Sequence, residues 1–508
     1  MSGTVRLDGR SLTIEALEQI ALCRYKVELA PEAVARVEKA HLVLHELAAK
    51  GIPIYGFNRG VGINKDREIS SDFFENYNRN LIYSHSAGIE PAATEEQARA
   101  VLAARLNTLL LGATGVHPQV VNMYRDFLNA GIHPVLPLRG SVGAADITVL
   151  SHIGLAMIGE GDVIYKGATV PASDALRRAG LAPLKLGPKD GLAIVSSNAL
   201  SAGIGALVLG EAARLLETAD IVFALSLEAI RGCISPLDEA AYRLRPYEGA
   251  AESAAFVRSL LAGGDLPELD TSSKIQDPLS FRSACHVHGA ARDSLAYACK
   301  LLLVQLNSSD DNPCLLADEQ RIVPSSNFDV TAWTLAFEML GIALSHVSKI
   351  SCYRAIKLGT PQFTGLPRFL SPDPALAIAY GTIQKTFTSL DAEIRHLSNP
   401  VSADYFSLSG DMEDHANNTP LVVRKTAEII DRLYYILSME AMHAAQAIDL
   451  REAVRLGQGT REAYAAIRSV VPVLSQDRFL TPDIQAVYKL LASSELLKRT
   501  KGGMAANE

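Results

Sequence analysis

Residues 430–448 read IDRLYYILSMEAMHAAQAI, and the apolar side chains in this stretch recur at helical spacing. Steps of three and four residues place them on one face of a helix. The stretch therefore predicts a long core helix. The residues of this face are Ile430, Leu433, Leu437, Ala441, Ala444 and Ile448.

The rest of the chain after about residue 200 has a similar helical character. The run from 331 to 358 predicts a second long helix, and the prolines that follow it break the pattern into an irregular connection. Those prolines are Pro361, Pro367, Pro372 and Pro374.

The first 190 residues are different, because short helical patterns alternate there with Gly- and Pro-rich loops, such as 51–66 and 131–146. Only 162–172 favours strands, as a hairpin with Lys166 and Gly167 at its turn. We predict a mainly α protein, with a loop-rich N-terminal domain at 1–200 followed by a bundle of long helices and C-terminal helices at 201–508.

Composition and charge exclude several classes of protein. The 508 residues carry 48 Lys plus Arg against 56 Asp plus Glu, a net charge of −8, so we expect no nucleic-acid partner. The six cysteines lack C-x-x-C spacing and the first residues contain no apolar signal segment, which favours a reduced, cytoplasmic protein. The longest uncharged run, 191–210, contains four glycines and several polar residues, so we expect a buried core segment and no membrane span.

Five segments are polar where a helical core would be apolar, and they lie far apart in the chain. Taken singly, each has an ordinary structural explanation: Tyr55 as a turn tyrosine, His85 as a core histidine, or the DNP at 311–313 as a helix stop. Their order along the chain is more informative. The segments are Tyr55 in IPIYG, Ser84 and His85 in NLIYSHSAG, Arg282 in IQDPLSFRSACHVHG, LNSSDDNP at 306–313 and SGDMEDHANN at 409–418.

In this order the segments and their flanks resemble the ammonia-lyase and aminomutase family that acts on histidine, phenylalanine and tyrosine. The resemblance covers nearly the whole chain. It implies an ammonia-lyase/fumarase-like fold, a homotetramer built on long helices, and active sites formed by loops of three subunits. Further matching motifs are YGxxxGxG at 55–62, ARLNTL at 104–109, GSVG at 140–143, LSHIGLAMIGEGDV at 150–163, EAIRG at 228–232, VHGAxRDxLAYA at 287–298 and AAQAIDLR at 444–451.

The prosthetic group of that family is a methylidene-imidazolone ring, which forms from an internal Ala-Ser-Gly by cyclisation and loss of water. The ring adds to the substrate and makes ammonia a leaving group while a tyrosine removes the β-proton. The methylidene carbon is the β-carbon of the central residue, so that residue needs a β leaving group. This chain reads Gly143-Ala144-Ala145-Asp146 where the family has Gly-Ala-Ser-Gly-Asp, so the serine is absent and the segment is one residue shorter.

Three explanations of this departure are open. The gene encodes Ala144-Ala145 and no ring forms, because alanine has no β leaving group. Alternatively, a modified residue was written as one letter, although a collapsed triplet would leave a single alanine. The third uses Ser141, where the β-branched Val142 would have to supply the ring nitrogen. We expect no cofactor from solution, and the internal ring is in doubt.

Other departures accompany the missing serine. Ser196-Ser197 replaces the family's Asn-Gly, with Asn198 as a nearby substitute. Asn58-Arg59 replaces a pair of threonines and places a cation near Tyr55, which would favour the phenolate. Three further positions also differ from the family pattern, as expected if the ring was abandoned or if the protein is a pseudoenzyme. They are Leu279 for a second tyrosine and His286 and Met412 for glutamines.

Roles follow from the resemblance and from side-chain chemistry. Tyr55 would act as general base once its pKa is lowered, and Arg282 would hold a carboxylate in a bidentate fork. Ser84, His85 and Glu413 match the histidine-type pocket of the family. The candidate catalytic residues are Tyr55, Ala144, Ala145 and Glu413, and the candidate substrate-binding residues are Ser84, His85, Ser196, Asn198, Arg282, His286, Phe328 and Met412.

We therefore predict a carbon–nitrogen lyase that eliminates ammonia or a similar leaving group from an aromatic or histidine-like amino acid. The alternative is a catalytically silent family member that acts as a ligand-binding or assembly protein. We predict no metal site. His286 and His288 with Asp310, Asp311 or Glu413 are conceivable ligands, but alternate residues of a helix point about 200° apart.

Overall fold

The computed structural model describes residues 3–269, 276–375, 377–451 and 454–505. Helices account for 62% of it and strands for 7%, which confirms the mainly α prediction. The predicted stripe on 430–448 is buried along its whole length, from Ile430 to Ile448. It lies within a helix of 31 residues. The 331–358 run is also one helix, with the predicted bounds.

Twenty α-helices lie in the described ranges. They are α1 (Ile14–Ala21), α2 (Pro31–Ala49), α3 (Phe74–His85), α4 (Glu95–Leu109), α5 (Pro118–Ala130), α6 (Ile147–Met157), α7 (Ala172–Ala179), α8 (Asp190–Val195), α9 (Ala199–Ala229), α10 (Glu239–Leu244), α11 (Glu248–Leu261), α12 (Leu279–Arg282), α13 (Ala284–Leu306), α14 (Thr331–Leu358), α15 (Pro361–Thr364), α16 (Ile383–Leu397), α17 (Thr419–Asp449), α18 (Gln458–Val470), α19 (Thr481–Ala492) and α20 (Glu495–Ala505).

Short strands form four small sheets. They are β1 (Thr4–Leu7), β2 (Lys26–Leu29), β3 (Ile89–Ala92), β4 (Ile132–Pro134), β5 (Pro137–Arg139), β6 (Asp162–Tyr165), β7 (Ala168–Pro171), β8 (Cys314–Leu316) and β9 (Arg321–Val323). β1 pairs with β2 in parallel. The antiparallel sheets are β3-β5, β4-β6-β7 and β8-β9. The predicted hairpin is β6-β7, and both Lys166 and Gly167 have the positive φ of its tight turn.

The chain divides into two compact units. The first comprises Met1–Gly210, Ala298–Phe337 and Pro400–Arg424, and it contains all nine of the described strands. The second comprises Glu211–Tyr297, Glu338–Asn399 and Lys425–Glu508. The domain boundary that the sequence predicts near residue 200 stays a prediction, because each of these units combines three separate stretches of the chain.

The second unit is helical and contains a buried ion pair. Arg354 on α14 and Glu440 on α17 are both fully buried, with 2.6 Å between Arg354 Nε and Glu440 Oε1. Ser226 also donates to this carboxylate, from a distance of 2.7 Å. Hydrogen bonds from several donors compensate the loss of water around the buried charge.

Two stretches are long and apolar enough to cross a membrane by length and composition alone, Asp190–Ala229 and Thr331–Leu358. In the first, the most apolar window is 94% buried, as expected for the core segment predicted at 191–210. In the second, 56% of the window is buried, so α14 leaves several apolar side chains exposed.

Candidate active site

A cleft of about 970 Å³ opens in the first unit and collects residues from six separate stretches of the chain. They are the 55–65 loop, α3, the loop before α6, the end of α8, the 312–328 segment and the 409–413 turn. Nine of the twelve residues predicted to form the site line this cleft. They are Tyr55, Ser84, His85, Ala144, Ala145, Ser196, Phe328, Met412 and Glu413.

Tyr55 lies in the half-buried loop that follows α2, and its hydroxyl oxygen accepts a hydrogen bond from the Gly62 N–H at 2.6 Å. Burial raises the pKa of Tyr55, and this effect outweighs the Gly62 hydrogen bond; the negative charge of Glu413 raises it further. The Gly62 N–H favours the phenolate, but the net shift is upward.

The predicted effect of Arg59 on Tyr55 is wrong. The Arg59 guanidinium lies 3.3 Å from the Glu68 carboxylate, so its charge is directed to a surface partner. It is not among the causes that shift the pKa of Tyr55, which rises where a fall was expected. The loop brings the Tyr55 hydroxyl close to Gly62, so the polar group that it contacts is a backbone N–H and not the Arg59 guanidinium.

Ser84 and His85 lie in the last turn of α3. His85 Nδ1 is 2.8 Å from the Leu81 carbonyl oxygen and 3.1 Å from Ser84 Oγ. Since a carbonyl only accepts, this contact selects the tautomer with the proton on Nδ1. Nε2 is then a hydrogen-bond acceptor for a ligand in the cleft.

The loop before α6 is held from behind by buried polar groups. The Asn198 side-chain amide donates to the Gly143 carbonyl at 3.0 Å, and the Asp146 N–H donates to the Ser197 carbonyl at 2.6 Å. The fully buried Asp146 carboxylate accepts from Ser141 Oγ at 2.7 Å and from the Ser201 N–H at 3.0 Å. Burial raises the pKa of Asp146 to about 6.

A methylidene-imidazolone does not fit the residues of this loop. Ala144 and Ala145 are the loop residues that line the cleft, and neither side chain has a β leaving group. Ser141 is engaged behind the loop, where its hydroxyl bonds to Asp146 and accepts from the Gly143 N–H. The chemistry of these residues agrees with the explanation in which Ala144-Ala145 stands as written.

Three predicted binding residues do not line the cleft. Asn198 is fully buried behind the 140–146 loop, where it acts on Gly143. Arg282 ends α12 and His286 lies on α13, both in the second unit. The His286 ring packs against Tyr242, with 5.2 Å between the ring centroids.

Three of the conceivable metal ligands are engaged in ion pairs away from the cleft. His288 is buried with Nδ1 2.7 Å from Asp220 Oδ1, in the second unit. Asp310 and Asp311 pair in the first unit with Arg105 and Lys189. Within the described ranges no group of three or more His, Cys, Asp or Glu residues has a geometry that could hold a metal ion.

Sequence reasoning missed Lys65, Tyr77, Asn80 and Asn312, which also line the cleft. Tyr77, Asn80 and Ser84 are spaced by three and four residues on α3, so helical periodicity from Ser84 was a usable signal. Lys65 has no comparable signal in the sequence. Its ammonium lies 3.9 Å from Met412 Sδ, and no carboxylate among the described residues forms an ion pair with it.

Comparisons with known proteins identify the family. The sequence profile described as aromatic amino acid lyase matches residues 12–469. The chain belongs to the aromatic amino acid lyase family. Among curated relatives, it is 38% identical to histidine ammonia-lyase of Stigmatella aurantiaca over 499 residues, or 98% of each chain. It is 36% identical to that of Myxococcus xanthus, over 99% of each chain.

Solved structures of this lyase family share the fold. Ergothionase from Treponema denticola, described as an ergothioneine-degrading enzyme, matches with a TM-score of 0.95 and 47% identity, over 97% of this chain and 99% of that one. Tyrosine aminomutase from Streptomyces globisporus matches with 0.94 and 32%, over 98% of each. Histidine ammonia-lyase from Trypanosoma cruzi matches with 0.91 and 31%, over 98% and 95%.

The comparisons confirm three of the predictions. The ammonia-lyase fold is present, the chain is a family member along nearly its whole length, and the family consists of carbon–nitrogen lyases. The prediction of an ammonia-lyase-family enzyme is therefore confirmed, and the catalytically silent alternative is not favoured.

Proposed function

We propose that this enzyme eliminates a tertiary amine from a histidine-type betaine, such as ergothioneine, without a methylidene-imidazolone ring. The observation that carries the proposal is the Ala144-Ala145 pair in the cleft of a chain that is 47% identical to an ergothionase. Ergothioneine is a histidine derivative whose α-nitrogen bears three methyl groups and whose imidazole bears a sulfur at C2.

The amine chemistry explains why such a substrate needs no ring. A methylidene-imidazolone is an electrophile that can add to the lone pair of a primary amine. A quaternary nitrogen has no lone pair and cannot add. It already carries a fixed positive charge, so it leaves directly as neutral trimethylamine. A ring that activates ammonia would therefore serve no purpose on this substrate.

The proposed step is a 1,2-elimination. The Tyr55 phenolate removes the β-proton, the C–H electron pair becomes the Cα=Cβ double bond, and the Cα–N bond breaks with release of trimethylamine. The Gly62 N–H stabilises the phenolate before the transfer and the phenol oxygen after it. The organic product is the acrylate that corresponds to the substrate.

The other cleft residues supply recognition in this proposal. His85 and Ser84 meet the imidazole end of the substrate, with Glu413 as a hydrogen-bond acceptor for a ring N–H. Phe328 and Met412 supply apolar contact. Ala144 and Ala145 leave room beside the substrate and take no chemical part. The carboxylate of the substrate is held by Arg282, and this arginine comes from another copy of the chain.

A homotetramer provides those other copies. On α14 the exposed apolar residues Leu335, Met339 and Ile342 follow steps of four and three, so they form a stripe on one face. Their exposed fractions are 55%, 40% and 41%. A contiguous apolar stripe on a long helix is typical of an interface between subunits. The family resemblance supports the same assembly.

The test is a product assay on the purified protein with ergothioneine and, separately, with histidine, phenylalanine and tyrosine. We expect trimethylamine, followed by NMR, from ergothioneine and no comparable ammonia release from the three amino acids. Tyr55→Phe should abolish the release, and Tyr83→Phe on the outside of α3 should not.

Intact mass provides an independent check on the ring. Ring formation releases two waters, so we expect the mass of the unmodified translated sequence. A mass lower by two waters, together with histidine turnover of about 1 per second or faster, would overturn the proposal. The protein would then be an ammonia-lyase with an internal ring.

A further inference from the structure

Two aromatic side chains in the cleft take no part in the proton transfer above: Tyr77 has no role there, and Phe328 has only apolar contact. Tyr77 and Phe328 line the same cleft as Tyr55, and both are half-buried. Tyr77 lies on α3, one helical turn before Asn80 and two before Ser84, whereas Phe328 comes from the segment between β9 and α14. The two rings therefore reach the cleft from separate parts of the first unit.

Tyr77 lies beside the catalytic tyrosine. The Val61 N–H lowers the pKa of the Tyr77 hydroxyl, and the Tyr55 hydroxyl accepts a hydrogen bond from the N–H of the next residue, Gly62. The two phenols and the adjacent amides of this turn therefore lie in the lining of the same cleft. A charge on Tyr55 also affects the ionisation of Tyr77, as expected for close neighbours.

The elimination fixes where the leaving group must lie. Tyr55 removes a proton from the β-carbon of the substrate. The leaving nitrogen is bonded to the adjacent α-carbon and is therefore only two bonds from that β-carbon. The trimethylammonium group is therefore confined to the neighbourhood of Tyr55, which is where the Tyr77 ring lies. The charge of Glu413 reaches the same region, because it acts on the Tyr55 phenol.

We propose that Tyr77 and Phe328, with the ring of Tyr55, form a subsite that binds the quaternary ammonium group of the substrate. This inference rests on the proposed function. Aromatic faces attract cations through the ring quadrupole, and methylated ammonium groups are bound by such rings because they are weakly hydrated. The Glu413 carboxylate adds a negative charge. The subsite selects trimethylated substrates over primary amines, whose N–H groups need directed hydrogen bonds that the faces of aromatic rings do not supply.

The test is calorimetric titration with N,N,N-trimethylhistidine and with histidine, in a Tyr55→Phe background so that neither ligand is consumed. Tyr77→Leu and Phe328→Leu should each weaken binding of the trimethylated ligand about 5- to 30-fold and leave histidine within about twofold. Tyr77→Phe should bind normally, because it keeps the ring. Tyr83→Leu, an exposed tyrosine on the same helix, is the matched control and should have no effect.

Several results would overturn the subsite. Equal losses of affinity for both ligands, or no loss of affinity in either leucine variant, would show that the rings do not recognise the ammonium group. A loss in Tyr77→Phe equal to that in Tyr77→Leu would assign the effect to the hydroxyl and the 61–62 turn. Equal affinity for the uncharged tert-butyl isostere of the ligand would show that apolar contact, and not the positive charge, accounts for the binding.

The titration is separable from the product assay. Trimethylamine release by the unmodified enzyme with no ligand selectivity in the variants would overturn the subsite and leave the proposed function standing. Absence of trimethylamine release would overturn the proposed function, whatever the titration shows.

Discussion

Tyr55, the proposed base, has surroundings that both oppose and assist its ionisation. Burial and the Glu413 charge raise the pKa of the phenol, while the Gly62 N–H lowers it. The upward net shift means that only a small fraction is phenolate at neutral pH. Activity limited by that fraction must rise with pH until the raised pKa is passed.

We therefore expect kcat/KM for ergothioneine to rise about tenfold per pH unit from neutral pH into the alkaline range. The leaving nitrogen is quaternary and does not titrate, so it contributes nothing to this slope. Tyr55→Phe should lower kcat by about 10² to 10⁴-fold and remove the rise. A flat profile between pH 6 and 9 in the unmodified enzyme would assign proton removal to another group.

At the scale of elements, the 196–198 turn between α8 and α9 holds the Ala144-Ala145 loop. Ser197 Oγ and the Asn198 N–H both donate to Asp310 Oδ2, at 2.7 and 2.9 Å. The other carboxylate oxygen lies 3.0 Å from Arg105 Nη1, and both side chains of this pair are almost fully buried. Asp310 therefore links the buried cation to the turn behind the cleft.

Asp310→Asn should destabilise the protein by about 3 to 5 kcal/mol, because it removes the nearer carboxylate from the buried Arg105 charge and leaves only Asp311, 4.0 Å away. Chemical denaturation followed by circular dichroism measures this loss. The matched control is Arg321→Gln, which breaks a pair whose two side chains are each 57% exposed and should change stability by at most about 1 kcal/mol. Equal losses of stability in the two variants would show that burial does not determine how much these ion pairs contribute to the free energy of unfolding.

For the whole molecule, the exposed stripe on α14 is the surface that the proposed assembly would bury. Leu335, Met339 and Ile342 would leave a contiguous apolar surface in water if the chain were alone. Burial against other copies removes that cost. In the proposed assembly it also supplies each cleft with Arg282 from another copy.

Light scattering should give a mass about four times the 54.5 kDa of the chain. The double substitution Met339→Glu and Ile342→Glu should yield smaller species, since burying two carboxylates at an interface is unfavourable. Leu42→Glu changes a 63% exposed leucine on α2 outside the stripe and should leave the mass unchanged. A stable monomer in the unmodified protein would contradict both the tetramer and the shared carboxylate anchor.

Local pattern predicted the elements of this protein, because helix and hairpin formation depend on neighbours in sequence. The spacing of Ile430 to Ile448 and the bounds 331–358 both correspond to helices, and Lys166-Gly167 forms the expected turn. Motif order led to the family and to Tyr55, Ser84, His85 and Glu413 as cleft residues. The missing serine was evident from the letters alone, because a β leaving group is a property of one side chain.

Only the tertiary structure decided how distant residues meet. It brought Tyr77, Asn312 and Lys65 into the cleft, placed Asn198 behind the Gly143 carbonyl, and paired Arg59 with Glu68. It also raised the pKa of Tyr55 where the nearby arginine suggested the opposite. Burial and partner choice depend on which chain segments come together in the folded protein, and no local spacing encodes them.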